Sequence, residues 1–249
     1  LGYAEGTSFE RGITSQGGGR DWTGRDDGSR APNPTLESLR LQGRFLRPQS
    51  FANPDGLTPA QLEAVGEALP NRWDLEETTL GPDTGLGISG GQRWDLGEDW
   101  SVGVLAATRY ANGWDTREER RRNFSATSGG LSLRDDLQLE TSTNTIELSQ
   151  FLTAGAEYGE DHAITFTSML LRITEDEARV TTGSQDSQDV LLRSMEWVEN
   201  ELLLNQLGGE HTLRALGDTL LTWQYSDARA RRDAPDSRQY RYELDAAGA

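Results

Sequence analysis

The chain has 249 residues, a net charge of -17 and no cysteine, and every basic side chain other than its two histidines is arginine. Disulfides, thiolate metal sites and cysteine nucleophiles are thereby excluded, and a net anion disfavours a nucleic-acid backbone as partner. No run approaches the roughly 20 apolar residues of a spanning helix, but a mean hydropathy of -0.68 leaves a membrane β-barrel open, because only alternate barrel residues face lipid and polar loops dilute the mean.

The sequence opens at Leu1 with neither an initiating Met nor a basic, apolar signal segment, which suggests a processed product or a piece of something larger. The stretch GGGRDWTGRDDGSRAPNP, residues 17–34, is rich in turn formers. Within it RDDGSR sets carboxylates beside arginines, a composition suited to charge-assisted pairs. Asp26 and Asp27 are alternative calcium ligands, although the spacing lacks the acidic series of a dedicated loop. LTPAQLEAVGEALPN predicts one short helix, with Thr58 as N-cap, Pro59 at the first position, Gln61 completing a capping box, Leu57 and Leu62 as a staple, and Pro70 as the stop.

From about residue 84 onward period two dominates. Three Gly-Glu turns punctuate it, at Gly97-Glu98, Gly159-Glu160 and Gly209-Glu210, each flanked by strand-like sequence. Val102, Val104 and Ala106 share one face after the first turn. Leu152, Ala154, Ala156 and Tyr158 share one before the second, against Ser149, Thr153 and Glu157. Leu221, Trp223 and Tyr225 alternate with Thr222, Gln224 and Ser226 after the third. Phase is less clean in AITFTSMLLRIT and SMEWVENELLLNQL. The connections between hairpins are long and polar, and REERRR, residues 117–122, reads as a solvated charge run or a grip for anionic headgroups.

Short turns at one end and long loops at the other are the plan of an outer-membrane barrel, with short periplasmic turns and long extracellular loops. The expected fold is therefore all-β, an antiparallel transmembrane β-barrel or a section of one. Residues 1–83 form its N-terminal section with the Gly/Asp-rich segment and helical insertion, and residues 84–249 its hairpins. The apolar face meets lipid and the Thr, Gln, Ser and Glu face a wet lumen. Trp223 and Tyr225 stand near an aromatic girdle, and the arginines and aspartates beyond them lie in an aqueous loop.

Enzyme signatures are absent: there is no Gly-x-Ser-x-Gly elbow, phosphate loop or His-Glu-x-x-His. Glu118-Glu119 and Asp135-Asp136 are adjacent carboxylates, not a pair across a cleft. His162 and His211 each follow an acidic turn, so a shared zinc site and plain turn histidines are both open. No catalytic, cofactor-binding or metal-binding residue is assigned, and no ligand contact is named.

DWTGRDDGSRAPNP, GVLAATRYANGW and LGGEHTLRALGDTLLTWQYSDARARRDAPDSRQYRY, in that order, resemble stretches of the TonB-dependent outer-membrane receptors. The resemblance implies a place in the outer membrane of a Gram-negative cell and energised import of a scarce ligand such as a metal chelate, vitamin or glycan. It also implies a barrel of about 22 strands, of the kind with a plugged lumen, with TonB as partner through a plug domain. No plug is recognisable here, and 249 residues supply only roughly six to eight strands, so the chain reads as a barrel section. Outer-membrane lipid is an expected partner, and a surface lipoprotein or an assembly subunit are further partner classes. A passive porin-like or structural barrel and a soluble all-β carbohydrate-binding module are the alternatives.

Overall fold

Two short strands, β1 (Arg11–Ser15) and β2 (Leu75–Thr79), pair antiparallel in a sheet of their own in the computed structural model, which describes all residues other than 1, 3, 6, 32, 33, 44, 69–73 and 244–249. Between them lie α1 (Pro34–Leu41) and α2 (Pro59–Ala68). The α2 capping box forms as its sequence predicts: the Thr58 amide donates to Gln61 Oε1 at 3.0 Å, and the Gln61 amide donates to Thr58 Oγ1 at 3.3 Å. Leu57 is buried, and Leu62 packs against the small cluster of Leu39, Leu57 and Val65 that joins the two helices. Pro70 lies outside the described residues. The single expected helix is in fact two: α1 starts at Pro34, within the turn-rich run, and is supported by an ion pair between Glu37 and Arg40 one turn apart.

The remaining strands form one six-stranded antiparallel sheet in chain order. They are β3 (Thr84–Leu96), β4 (Trp100–Thr127), β5 (Gly130–Tyr158), β6 (His162–Gln185), β7 (Gln188–Leu213) and β8 (Thr219–Glu243). At one end Gly97 and Gly159 take left-handed φ values of 77° and 58° in the first two Gly-Glu turns, a conformation open to glycine without a Cβ clash. At the other end β4 and β5 are joined by Ser128-Gly129, and β6 and β7 by Asp186-Ser187, whose φ values of 51° and 68° are both left-handed. Two consecutive residues of that kind match the twist of a tight hairpin.

Two expectations about the strands are corrected. The polar connections are not long loops: each continues the strands, which reach 28, 29, 24, 26 and 25 residues from β4 to β8. Arginine and acid alternate at a spacing of two, so ions of opposite sign neighbour one another along or across strands, as in Arg231–Asp233, Arg238–Asp236 and Arg120–Asp136. The ladder is thereby extended instead of broken. The charged sequel after Tyr225 is likewise strand, and Pro235 sits where the β7–β8 register shifts, the position at which a sheet tolerates a missing N–H.

The third turn is also displaced. Gly208 and Gly209 lie inside β7, and the chain reverses at 214–218, with Gly217 and Asp218 left-handed. Gly209 faces Trp223 across the ladder, and a Cβ there would lie 2.5 Å from the indole nitrogen. Gly209 is spent on seating that ring, not on turning.

Finally, the sheet is open. β3 and β8 are its edges and do not pair with each other, so the described residues form an all-β antiparallel sheet but no closed barrel. Among the described residues, those up to Asp83 contribute no strand to it.

Candidate functional site

Side chains directly opposite one another on neighbouring strands share a face. Val104, Ala154, Phe166, Leu207 and Tyr225 form one such row from β4 to β8. With Leu86, Ile88, Leu152, Ile164 and Leu221 they build an apolar belt in which the larger side chains stand exposed. Ser168 and Asn205 interrupt it and satisfy each other, the serine hydroxyl donating to Asn205 Oδ1 at 2.8 Å.

The belt runs obliquely to the hydrogen-bonded rows. Its far limit is Leu86 on β3, aligned with Tyr110, and Tyr225 on β8, aligned through Leu207, Phe166 and Ala154 with Val104. The limit therefore falls by six residues over five strand-to-strand steps. With a rise of about 3.3 Å per residue and about 4.8 Å between strands, that slope corresponds to a tilt of about 40°, within the roughly 35–45° of membrane barrels.

Near the turns a ladder of rings crosses the same face: Trp100, Tyr158, His162, His211 and Trp223, with successive centroids 4.9, 6.3, 5.3 and 6.4 Å apart. The Trp223 indole donates to His211 Nε2 at 3.1 Å. The two histidines are thus neighbours, as a shared site would need. His211 spends one nitrogen on Trp223, however, and no group of three or more metal-ligating side chains occurs among the described residues.

Past the far limit the same face changes character, and the N-terminal segment docks on it. The side chain of Arg30 is 4% exposed. Its guanidinium binds both oxygens of Asp21, at 2.7 and 2.6 Å, lies 3.5 Å from Asp26 and 3.8 Å from Asp176, and stacks 3.9 Å over the Trp197 ring. Burial works against the Arg30 charge, yet the hydrogen bond and charge of Asp21, with Asp176 and Asp26, raise its pKa overall. Burial pushes Asp176 on β6 up to about 6, against the pull of Arg30 and of the Ser15 hydroxyl. Glu199 on β7 accepts from the Asp26 amide at 2.7 Å and from the Trp197 indole at 3.0 Å.

The RDDGSR stretch singled out by composition thus does form charge-assisted pairs. Asp26 and Asp27 are occupied as turn acceptors. Asp27 takes the amides of Gly19 and Ser29, and Asp26 those of Gly28 and Arg30. Sequence reasoning missed the sheet half of the node, Asp176, Trp197 and Glu199, because β6 and β7 lie far from residue 30 in sequence and nothing local marks the meeting.

The opposite face carries Thr153, Thr167, Gln206 and Ser226 in one row and an Arg93–Glu157 pair at 3.0 Å. It is not uniformly polar: Phe151, Met169, Leu171, Leu202 and Leu204 gather there on adjacent strands. Neither a protein-family model nor a curated protein matches this chain.

Proposed function

We propose that this chain is part of the wall of an outer-membrane β-barrel, in a TonB-dependent receptor that imports a scarce ligand. The observation that carries the barrel reading is the exposed apolar belt and its slope. A soluble sandwich buries such a face against a second sheet, whereas a tilted barrel strand shows it to lipid. The belt also lies next to a polar, strand-built extension, which in this reading stands in water beyond the membrane. Both edges then continue into further strands of the wall, since an open edge in hydrocarbon leaves backbone groups unpaired at several kcal/mol each. The receptor part of the proposal rests on the ordered motif resemblance, and the ligand class on that alone.

Paired arginine substitutions test the wall. Ala154→Arg and Leu221→Arg lie in the belt, and Ser149→Arg and Thr222→Arg lie on the other face. Belt arginines near mid-membrane are expected to cost about 2–4 kcal/mol of folding stability in lipid, and lumen arginines far less. Equal tolerance on both faces, or a chain that is soluble without detergent, would overturn the reading.

A further inference from the structure

The docked N-terminal segment lies on the face that carries the belt, so in the barrel reading it lies outside the wall. Its point nearest the belt is the tip Trp22-Thr23-Gly24. Three successive carbonyls of that tip are fastened to the sheet. Trp22 accepts from the Tyr110 hydroxyl at 2.6 Å, Thr23 from the Arg172 guanidinium at 3.4 Å, and Gly24 from the Thr174 hydroxyl at 2.8 Å. Gly24 has a left-handed φ of 66°, and a Cβ there would press on Thr174 and Ile146 at 3.0 and 3.1 Å. The backbone of the tip is therefore fixed against the strands.

Its largest side chain is not. Trp22 is 66% exposed, on a backbone pinned beside Tyr110, in the very row where the belt ends on β3 at Leu86. Exposed Arg20 and Arg25 stand on either side of it in sequence. An indole has an apolar body and one N–H donor, and it is most at home where hydrocarbon meets headgroups. Flanking arginines suit the phosphates of that layer.

We infer that Trp22 is an interfacial anchor, held by the docked tip at the far border of the belt and seated among the headgroups and first acyl carbons of the surrounding lipid. This rests on the barrel reading above, and it extends the lipid contact from the wall to a segment that contributes no strand to it.

The absence of cysteine makes the test clean. Single-cysteine variants Trp22→Cys, Ala154→Cys in the belt and Leu131→Cys at the distal hairpin tip are labelled with an environment-sensitive fluorophore. The complete barrel that carries this chain is then placed in phosphatidylcholine–phosphatidylglycerol vesicles whose lipids carry bromine either near the headgroup or deep in the acyl chain. The label at position 22 is expected to lose fluorescence to shallow bromine more than to deep, that at 154 to deep bromine, and that at 131 to neither. Arg20→Cys, which keeps the indole in place, is expected to follow position 22. If the labels at 20 and 22 behave like that at 131 while position 154 is quenched, the anchor is wrong and the barrel reading stands. If position 154 is not quenched either, the barrel reading itself falls and takes the anchor with it.

Discussion

The guanidinium of Arg30 lies 3.9 Å above the ring of Trp197 and grips Asp21 through two hydrogen bonds. One side chain of the N-terminal segment thus joins its own loop to the sheet. Three carboxylates, of Asp21, Asp26 and Asp176, lie within 4 Å of it, so removing it leaves buried negative charge without a partner. Arg30→Ala is expected to cost the docked state about 3–5 kcal/mol, the range for breaking a buried pair from one side. Arg30→Lys keeps the charge but loses both the fork and the stacking, and is expected to be markedly destabilising as well. Proteolysis within residues 11–30 of the folded protein measures both, and wild-type protection in Arg30→Ala would contradict the role given to this contact.

The same node sets a pH dependence. Burial pushes the pKa of Asp176 up to about 6 from the ordinary carboxyl value of 3.8, so the docked state holds a proton that the undocked chain releases. Its contribution is fully present below pH 4 and is lost as pH rises through about 6. Docking is therefore expected to loosen between those limits through this group, with Arg30 opposing and Asp21 and Asp236 reinforcing the shift. In Asp176→Asn that part of the slope should vanish, as read by hydrogen exchange at residues 21–30 after correction for the intrinsic rate. An unchanged slope in the variant would place the titration elsewhere.

Gly208 and Gly209 are adjacent but not equivalent. A Cβ at Gly209 meets the Trp223 ring at 2.5 Å, whereas one at Gly208 meets the Trp223 carbonyl at an ordinary 3.5 Å. Gly209→Ala is expected to displace the indole, break its bond to His211 and cost about 1–3 kcal/mol, as overpacking does. Gly208→Ala should cost about 1 kcal/mol or less. Denaturant unfolding of the two variants side by side separates them.

The Asp186-Ser187 turn has two left-handed residues and no glycine. Ser187→Gly is expected to stabilise the β6–β7 hairpin by up to about 1 kcal/mol, because the left-handed conformation costs a side-chain-bearing residue roughly 1–2 kcal/mol and glycine little. The entropy glycine loses on folding takes back part of the gain. A lower unfolding midpoint for Ser187→Gly would mean that the turn is not strained as its backbone angles imply.

Local chemistry was legible in the sequence. The alternation of Leu152, Ala154 and Ala156 against Thr153, Gly155 and Glu157 needs only the two-residue repeat of a strand. The Thr58–Gln61 box and the glycines at 97 and 159 act over a few residues of backbone. Those features fixed an antiparallel all-β chain, one apolar face and two of its turns. What composition misled was the fate of the charged runs. Arg, Asp and Glu are usual in loops, and only the register puts Asp136 opposite Arg122 and within reach of Arg120 and makes a ladder of them. The tertiary structure alone decided that the apolar belt slants across the strands, that Gly209 makes room for Trp223, and that residues 21–30 dock beyond the belt on the same face. Each depends on which residues of distant strands stand opposite one another, and that is set by the pairing of the whole sheet, not by any stretch of the chain read alone.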